Sequence, residues 1–171
     1  MIRNVSFMGT NLELDDALLY YAPLDYWIRM DREKEEVVFG LTPAAPIKEG
    51  GYRAVEFTVQ EGEEVKAGDT VAVAVTAKIK YLEAVTGGIV VALNRKLEQN
   101  IAGCFTSLDH NWLARIRTDR GGKMLSALID FSRYLEILRM HEGHCAPPGV
   151  KAAGSPTCRS VYESIRKQKE S

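Results

Sequence analysis

The feature that most constrains the fold is a series of short apolar runs separated by glycine-containing breaks. In one of these runs Val55, Phe57 and Val59 alternate with polar residues, which places all three on one face of a strand. Many short strands separated by glycine turns favour an all-β barrel or sandwich. The strand candidates are residues 26–30, 37–41, 54–59, 71–75, 78–84, 89–93 and 112–116, and the breaks fall at residues 50–51, 62, 67–69 and 87–88.

The two ends of the chain have a different pattern. Near the N-terminus apolar residues recur at near-helical spacing and predict a short helix or a docked arm. After Gly121 and Gly122 an apolar stripe at alternating spacings of four and three predicts an amphipathic helix over residues 122–141, which packs on its own domain or serves a partner. The N-terminal set is Leu12, Leu14, Ala17, Leu18 and Tyr21, and the stripe is Met124, Leu128, Phe131, Leu135 and Leu138.

The segment after the predicted helix is rich in Pro, Gly and Ala, a composition typical of linkers. We therefore predict a β-barrel domain with an N-terminal arm over residues 1–121. Residues 122–171 are expected to form a C-terminal helix and a loosely ordered tail.

Charge and cysteine content exclude several classes of protein. With 22 Lys and Arg against 23 Asp and Glu, the net charge of -1 excludes a strongly basic nucleic-acid binder and an acidic disordered tail. No stretch approaches the roughly 18 apolar residues that a membrane span needs, and the first six residues are too polar for a signal peptide. Three cysteines do not form a secreted disulfide framework. We expect a reduced, cytoplasmic protein without nucleic-acid or membrane partners.

A group of potential metal ligands lies near the C-terminus. His141, His144, Cys145 and Cys158 are weak zinc candidates whose spacing fits no strong motif. The alternatives are histidines that interact with a helix C-terminus beside two unrelated thiols, or a disulfide between Cys145 and Cys158. Cys104 is expected to be a buried, inert thiol. No nucleophile elbow, phosphate loop or paired-carboxylate pattern occurs, so no catalytic residue is predicted.

The most informative stretch covers residues 64–94, where two β-rich halves surround a central lysine. The first half opens with V-K-A-G-D and the second contains V-T-G-G-I-V. This stretch resembles the lipoyl/biotinyl carrier superfamily, and most closely the H protein of the glycine cleavage system. The likeness continues in residues 24–30 (L-D-Y-W-I-R-M), 39–42 (F-G-L-T), 55–69 and 111–116 (N-W-L-A-R-I).

The resemblance covers roughly residues 20–120 and implies a mainly β fold. This fold is a flattened barrel-sandwich hybrid, and the C-terminal α-helix is expected to pack across it. In such proteins the modified lysine stands at the tip of a tight hairpin.

The resemblance points to Lys78 as the lipoyl attachment site. Counting forward from Asp69 gives Lys78, whereas counting back from V-T-G-G gives Ala77, so the hairpin is one residue shorter than in typical H proteins. Val75-Thr76-Ala77 stands where the family commonly has E-S-V. Lys80 is the second candidate.

The alternative is an unmodified hairpin. Residues two apart in a strand share a face, so Lys78 and Lys80 would then face solvent while Ile79 and Tyr81 belong to the core. Biotin is disfavoured because no M-K-M-like tripeptide surrounds the lysine.

The function implied by the resemblance is that of a carrier rather than an enzyme. A lipoate ligase or lipoyl transferase would attach the lipoyl group to Lys78 by an amide bond. In the family the arm takes an aminomethyl group from a pyridoxal-phosphate decarboxylase to a tetrahydrofolate-dependent transferase, and a flavin enzyme reoxidises it. The shifted lysine and the tail suggest a divergent paralogue that serves glycine-cleavage-type or other lipoyl-dependent enzymes. The alternatives are an unmodified H-like protein-interaction module and, from the tail residues alone, a small metal-binding protein.

Overall fold

The computed structural model describes residues 1–101, 105, 108–118 and 123–144. These residues form eleven strands, four helices and one 3-10 turn at Ala22–Leu24. The strands are β1 Ile2–Phe7, β2 Thr10–Asp15, β3 Leu19–Tyr21, β4 Tyr26–Asp31, β5 Glu36–Leu41, β6 Ala54–Phe57, β7 Glu64–Val65, β8 Thr70–Val75, β9 Ile79–Glu83, β10 Gly88–Leu93 and β11 Trp112–Thr118. The helices are α1 Ala44–Glu49, α2 Lys96–Asn100, α3 Lys123–Ser126 and α4 Phe131–His144.

The strands form three antiparallel sheets. The largest has the order β3-β4-β5-β11-β10-β7, the second the order β6-β8-β9, and β1 pairs with β2 alone. The six-stranded and three-stranded sheets share one hydrophobic core, to which Phe39 and Ile116 contribute from the first and Ala72 and Leu82 from the second. Within the described ranges, hydrogen bonds do not close these sheets into a barrel. The expected mainly β fold with a C-terminal helix is confirmed, and the flattened barrel-sandwich hybrid takes the form of two packed sheets.

Most of the strand predictions are confirmed, because the glycine breaks mark the ends of the strands. The strand candidates at residues 26–30 and 37–41 are β4 and β5, which form a hairpin that closes at Asp31 opposite Glu36. Val55 and Phe57 are buried on one face of β6, as their alternation predicts. The two-residue strand β7 and the short helices α1 and α2 were not predicted, since each is too short to show a periodicity.

The prediction of an N-terminal helix is wrong. Residues 2–15 form the β1–β2 hairpin, in which Leu12 and Leu14 are buried with the period of two that a strand requires. The hairpin turns at Met8 and Gly9, both with positive φ, as a tight two-residue turn needs. Its buried side packs with Tyr134 and other residues of α4 in a second hydrophobic cluster, so the segment is a docked arm made of strands.

The prediction of one continuous helix over residues 122–141 is also wrong. The chain forms α3 and α4, and between them Ile129 makes two backbone hydrogen bonds with Tyr20 of β3, 2.8 and 2.9 Å long. Asp130 then accepts a hydrogen bond from the Arg133 amide (2.8 Å), which is the bond of a helix N-cap. Leu138 is buried against the protein's own core, so the apolar face of α4 packs on its own domain.

A buried polar network fastens α4 to the rest of the protein. The Asp25 carboxylate accepts hydrogen bonds from Lys48 Nζ (2.7 Å) and from the Tyr134 hydroxyl (2.8 Å). The Thr42 hydroxyl lies 2.8 Å from the Tyr134 oxygen and donates to it, because the tyrosine's own proton is used on Asp25. Burial, and next the negative charge of Asp25, raises the pKa of Tyr134 well above its ordinary value. The network therefore joins α1, α4 and the residue that precedes β4 through hydrogen bonds that share the Asp25 carboxylate.

None of the helices in the described ranges has the length and apolar character that a membrane-spanning segment requires.

Removing the Tyr134 hydroxyl tests the buried network. Tyr134→Phe leaves the Asp25 carboxylate and the Thr42 hydroxyl each without one partner, so we expect the free energy of unfolding to fall by about 1–3 kcal/mol. Urea unfolding followed by circular dichroism measures this change. The matched control is Tyr81→Phe, because Tyr81 is 60% exposed. An equal loss in both variants would contradict the role assigned to the network.

The buried tyrosines predict how stability changes at high pH. Burial raises the pKa of Tyr20, Tyr26, Tyr52 and Tyr134 above the ordinary value of 10.0. Because the fold favours their neutral form, this contribution to stability is fully present below pH 10 and is lost as the pH rises through the folded pKa values. We expect the absorbance of tyrosinate to show a late phase that coincides with loss of far-ultraviolet circular dichroism. A single phase at about pH 10, like that of the chain unfolded in guanidinium, would contradict this expectation.

Candidate functional site

The candidate site is the tip of the β8–β9 hairpin. Val75 pairs with Ile79, which leaves Thr76, Ala77 and Lys78 as the connecting loop. The Thr76 amide and hydroxyl both donate to the carbonyl oxygen of Lys78, at 2.8 and 3.0 Å, and the Lys78 amide donates back to the Thr76 hydroxyl at 3.3 Å. Thr76 is buried, so its side chain holds the short loop in one shape from the inside.

Lys78 is the last residue of this loop, and its side chain is exposed. Its ammonium group makes no ion pair or hydrogen bond with any residue in the part of the chain that the structure describes. Lys78 therefore combines a fixed backbone position with a side chain that extends into solvent. This is the arrangement that an enzyme needs in order to acylate an amine.

Lys80, the second candidate, lies in a different environment. Its Nζ atom is 2.5 Å from Oε1 of Glu49, the last residue of α1, and the two side chains are only 12% and 19% exposed. Lys80 lies opposite Ala74, on the inward side of the sheet. The structure thus separates the two lysines into one exposed side chain and one that is largely buried and paired.

The alternative that placed Ile79 and Tyr81 in the core is wrong. These side chains are 62% and 60% exposed, whereas Leu82, with the opposite parity in the same strand, is fully buried. Val73 pairs with Tyr81 and Val75 pairs with Ile79, so apolar residues occur on both faces of this sheet and hydrophobicity does not indicate the inner one. As a result, the hairpin has an apolar outer face beside Lys78.

The two sequence motifs that frame the lysine meet in space. The carbonyl oxygen of Asp69 accepts a hydrogen bond from the Ala84 amide (2.8 Å), and the Gly68 amide donates to the Ala84 carbonyl (2.9 Å). The V-T-G-G turn follows directly. Gly88 there has a φ of 142°, and a Cβ atom would lie 1.9 Å from the Arg117 carbonyl oxygen. Only glycine allows this approach of β10 to β11, which explains the motif.

The remaining predicted residues stay outside this site. The rings of His141 and Phe7 lie 6.0 Å apart at the N-terminal hairpin. The side chain of His144, together with Cys104, Cys145 and Cys158, falls outside the described residues, and the metal and disulfide predictions stay predictions. Among the side chains that are described, no group of three or more His, Cys, Asp or Glu could hold a metal ion.

Sequence reasoning missed Glu49, because its contact with Lys80 joins residues 31 positions apart. The only available signal was Lys80 itself, which shares strand parity with Leu82. A lysine on the buried side of a strand needs an acidic partner, since burial of an unpaired charge is costly.

The structure thus combines two packed antiparallel sheets with a lysine at the tip of a short hairpin, the arrangement expected for the lipoyl/biotinyl carrier class. The family model of the glycine cleavage H-protein matches residues 19–141, and the chain belongs to that family. Proteins of this family are carriers rather than enzymes.

A solved structure shows the same fold. It is a glycine cleavage system H protein (GcvH) from Mycobacterium marinum, which aligns with a TM-score of 0.61 and 22% sequence identity over 72% of this chain and 98% of its own. No curated protein matches the chain. The β1–β2 hairpin precedes the residues that the family model matches.

The two faces of β9 provide a direct test of the hairpin geometry. We expect Ile79→Ala to change the free energy of unfolding by no more than about 0.5 kcal/mol, because the side chain is exposed. Leu82→Ala should cost about 2–5 kcal/mol, because it leaves a cavity in the core. Chemical denaturation of both variants measures the difference. A larger loss for Ile79→Ala than for Leu82→Ala would reverse the assignment of the two faces.

Proposed function

We propose that the protein is a lipoyl carrier of the glycine-cleavage H type, with the lipoyl group attached to Nζ of Lys78 by an amide bond. The observation that carries this proposal is the exposed Lys78 side chain at the tip of a hairpin whose loop is fixed by Thr76. The family match supports it, because the H-protein family normally carries such a group.

The residues around Lys78 suit the attachment of a long arm. The Thr76 hydrogen bonds hold the backbone of the loop, and the packed sheets below hold the hairpin. A group attached to Nζ therefore starts from a fixed point and moves through the rotatable bonds of the lysine and the cofactor. When bound, a lipoyl group supplies a disulfide that can be reduced and can hold a reaction intermediate. Tethering keeps this cargo at high local concentration for the enzymes that bind the carrier.

The proposal implies two kinds of partner in a cytoplasmic setting. A lipoate ligase or lipoyl transferase has to reach Lys78, and glycine-cleavage-type or other lipoyl-dependent enzymes have to accept the loaded arm. An enzyme that approaches the tip meets the exposed apolar side chains of Val75, Ile79 and Tyr81. Exposed apolar patches of this kind are common at sites of protein association.

The proposal is tested by intact mass after co-expression with a lipoate ligase in the presence of lipoate. We expect the wild type to gain the mass of one lipoyl group and Lys78→Arg to gain none, because arginine keeps the charge and removes the reactive amine. The matched control is Lys80→Arg, which should be modified like the wild type. Peptide mapping places the adduct.

An unchanged mass, in a host that modifies a known carrier domain, would contradict the lipoyl proposal. That result would favour the unmodified interaction module. An adduct on Lys80 in the wild type would contradict the assignment of Lys78.

A further inference from the structure

We propose that Glu49 determines which lysine of the hairpin is modified, since it holds the Lys80 side chain and leaves Lys78 as the one accessible amine. This inference rests on the proposed function, because it concerns the choice of the acceptor at the same site. It assigns Glu49 a positioning role that acts through Lys80.

The hairpin has two lysine side chains close together in the sequence. Lys78 and Lys80 are two residues apart, so their Cα atoms lie at most about 7 Å apart, which is comparable with the reach of one lysine side chain. An unrestrained Lys80 could therefore bring its amine near the position that the Lys78 amine occupies. The local sequence alone gives a modifying enzyme little basis for choosing between them.

The end of α1 is packed directly behind the loop. The carbonyl oxygen of Glu49 lies 3.5 Å from the Ala77 amide that donates to it, and a Cβ atom on Gly50 would be 3.9 Å from the Ala77 Cβ. The next segment is also attached to the hairpin, because the Arg53 amide donates to the Val75 carbonyl (2.8 Å). The backbone of Glu49 is thus fixed relative to β8 and β9, and its carboxylate is directed at Lys80.

The contact between the two side chains opposes acylation of Lys80 in two ways. The Lys80 ammonium donates a hydrogen bond to the Glu49 carboxylate, a charge-assisted bond at a site where neither side chain is more than 19% exposed. Lys80 has to break this bond, leave the carboxylate unpaired and rotate outward before its nitrogen can meet a reagent. Lys78 needs no such opening step.

The same bonds form and break whichever lysine is acylated. The lone pair of a neutral amine forms an amide bond with the carbonyl carbon of an activated carboxylate. The bond from that carbon to its leaving group breaks with the electron pair going to the leaving group, and one proton leaves the nitrogen. Activated acyl donors such as an acyl adenylate, which releases AMP, or an N-hydroxysuccinimide ester, which releases N-hydroxysuccinimide, supply the acyl group without oxidation or reduction.

The first experiment uses a chemical reagent on the full-length, natively folded wild type. Brief treatment with limiting N-hydroxysuccinimide acetate, protease digestion and fragment-ion mass spectrometry give separate acetylation rates for the two lysines. We expect Lys80 to react about tenfold more slowly than Lys78, because it reacts only after local opening. Equal rates in the wild type would overturn the inference without any variant.

The second measurement releases Lys80. Glu49→Gln keeps the shape of the side chain and removes its charge, so we expect the Lys80 rate to rise to within about threefold of the unchanged Lys78 rate. The control is Glu56→Gln, which neutralises an exposed carboxylate on the neighbouring strand β6 and should leave both rates unchanged. Glu49→Asp keeps the charge and should retain part of the protection. An unchanged Lys80 rate in Glu49→Gln would overturn the inference.

The third measurement uses a lipoate ligase and separates this inference from the proposed function. We expect no adduct on Lys78→Arg, and an adduct on Lys80 when Glu49→Gln is added to that variant. Absence of the Lys80 adduct, with a ligase that modifies the wild type at Lys78, would show that the ligase selects the position itself and would overturn the role of Glu49.

If the ligase modifies no lysine of the wild type, the lipoyl proposal fails, and the acetylation rates alone decide whether Glu49 protects Lys80.

Discussion

The packing of the three-stranded sheet on the six-stranded sheet fixes where the lysine hairpin stands. Ala74 and Leu82 place the inner faces of β8 and β9 in the common core, and the loop at their far end is closed by Thr76. Since core side chains are closely packed, the hairpin cannot tilt without opening a cavity. This arrangement places Lys78 at the exposed end of the hairpin and Lys80 on its inner side, where Glu49 of α1 pairs with it.

The C-terminal helix depends on a different kind of interaction. The buried carboxylate of Asp25 joins Lys48 of α1 and Tyr134 of α4 in one network, and hydrophobic contacts with the β1–β2 hairpin complete the attachment. The same helix α1 carries Glu49 at its end. Helix α1 therefore contributes to the attachment of α4 through Lys48 and to the restraint of Lys80 through Glu49.

The sequence predicted much of the sandwich, because strand length and glycine position are local properties. It did not indicate which face of β9 is buried, since Val73, Val75, Ile79 and Tyr81 make the outer face as apolar as the inner one. The N-terminal hairpin was missed because Leu12 and Leu14, combined with Leu18 and Tyr21, imitate a helical spacing. The position of Lys78 followed from the motifs around it, whereas its distinction from Lys80 depends on a contact with a distant helix that only the folded chain shows.

The three-residue loop has a consequence for the volume that an attached arm can explore. A long, flexible loop would add backbone motion to the motion of the arm and would spread the cargo over a wide and thinly populated region. Here hydrogen bonds hold the backbone of the loop, so the covalent length of a group attached to Lys78, as proposed, would define a limited sphere around one point on the surface. Under that proposal, an enzyme that uses the attached group would have to bring its catalytic pocket inside that sphere.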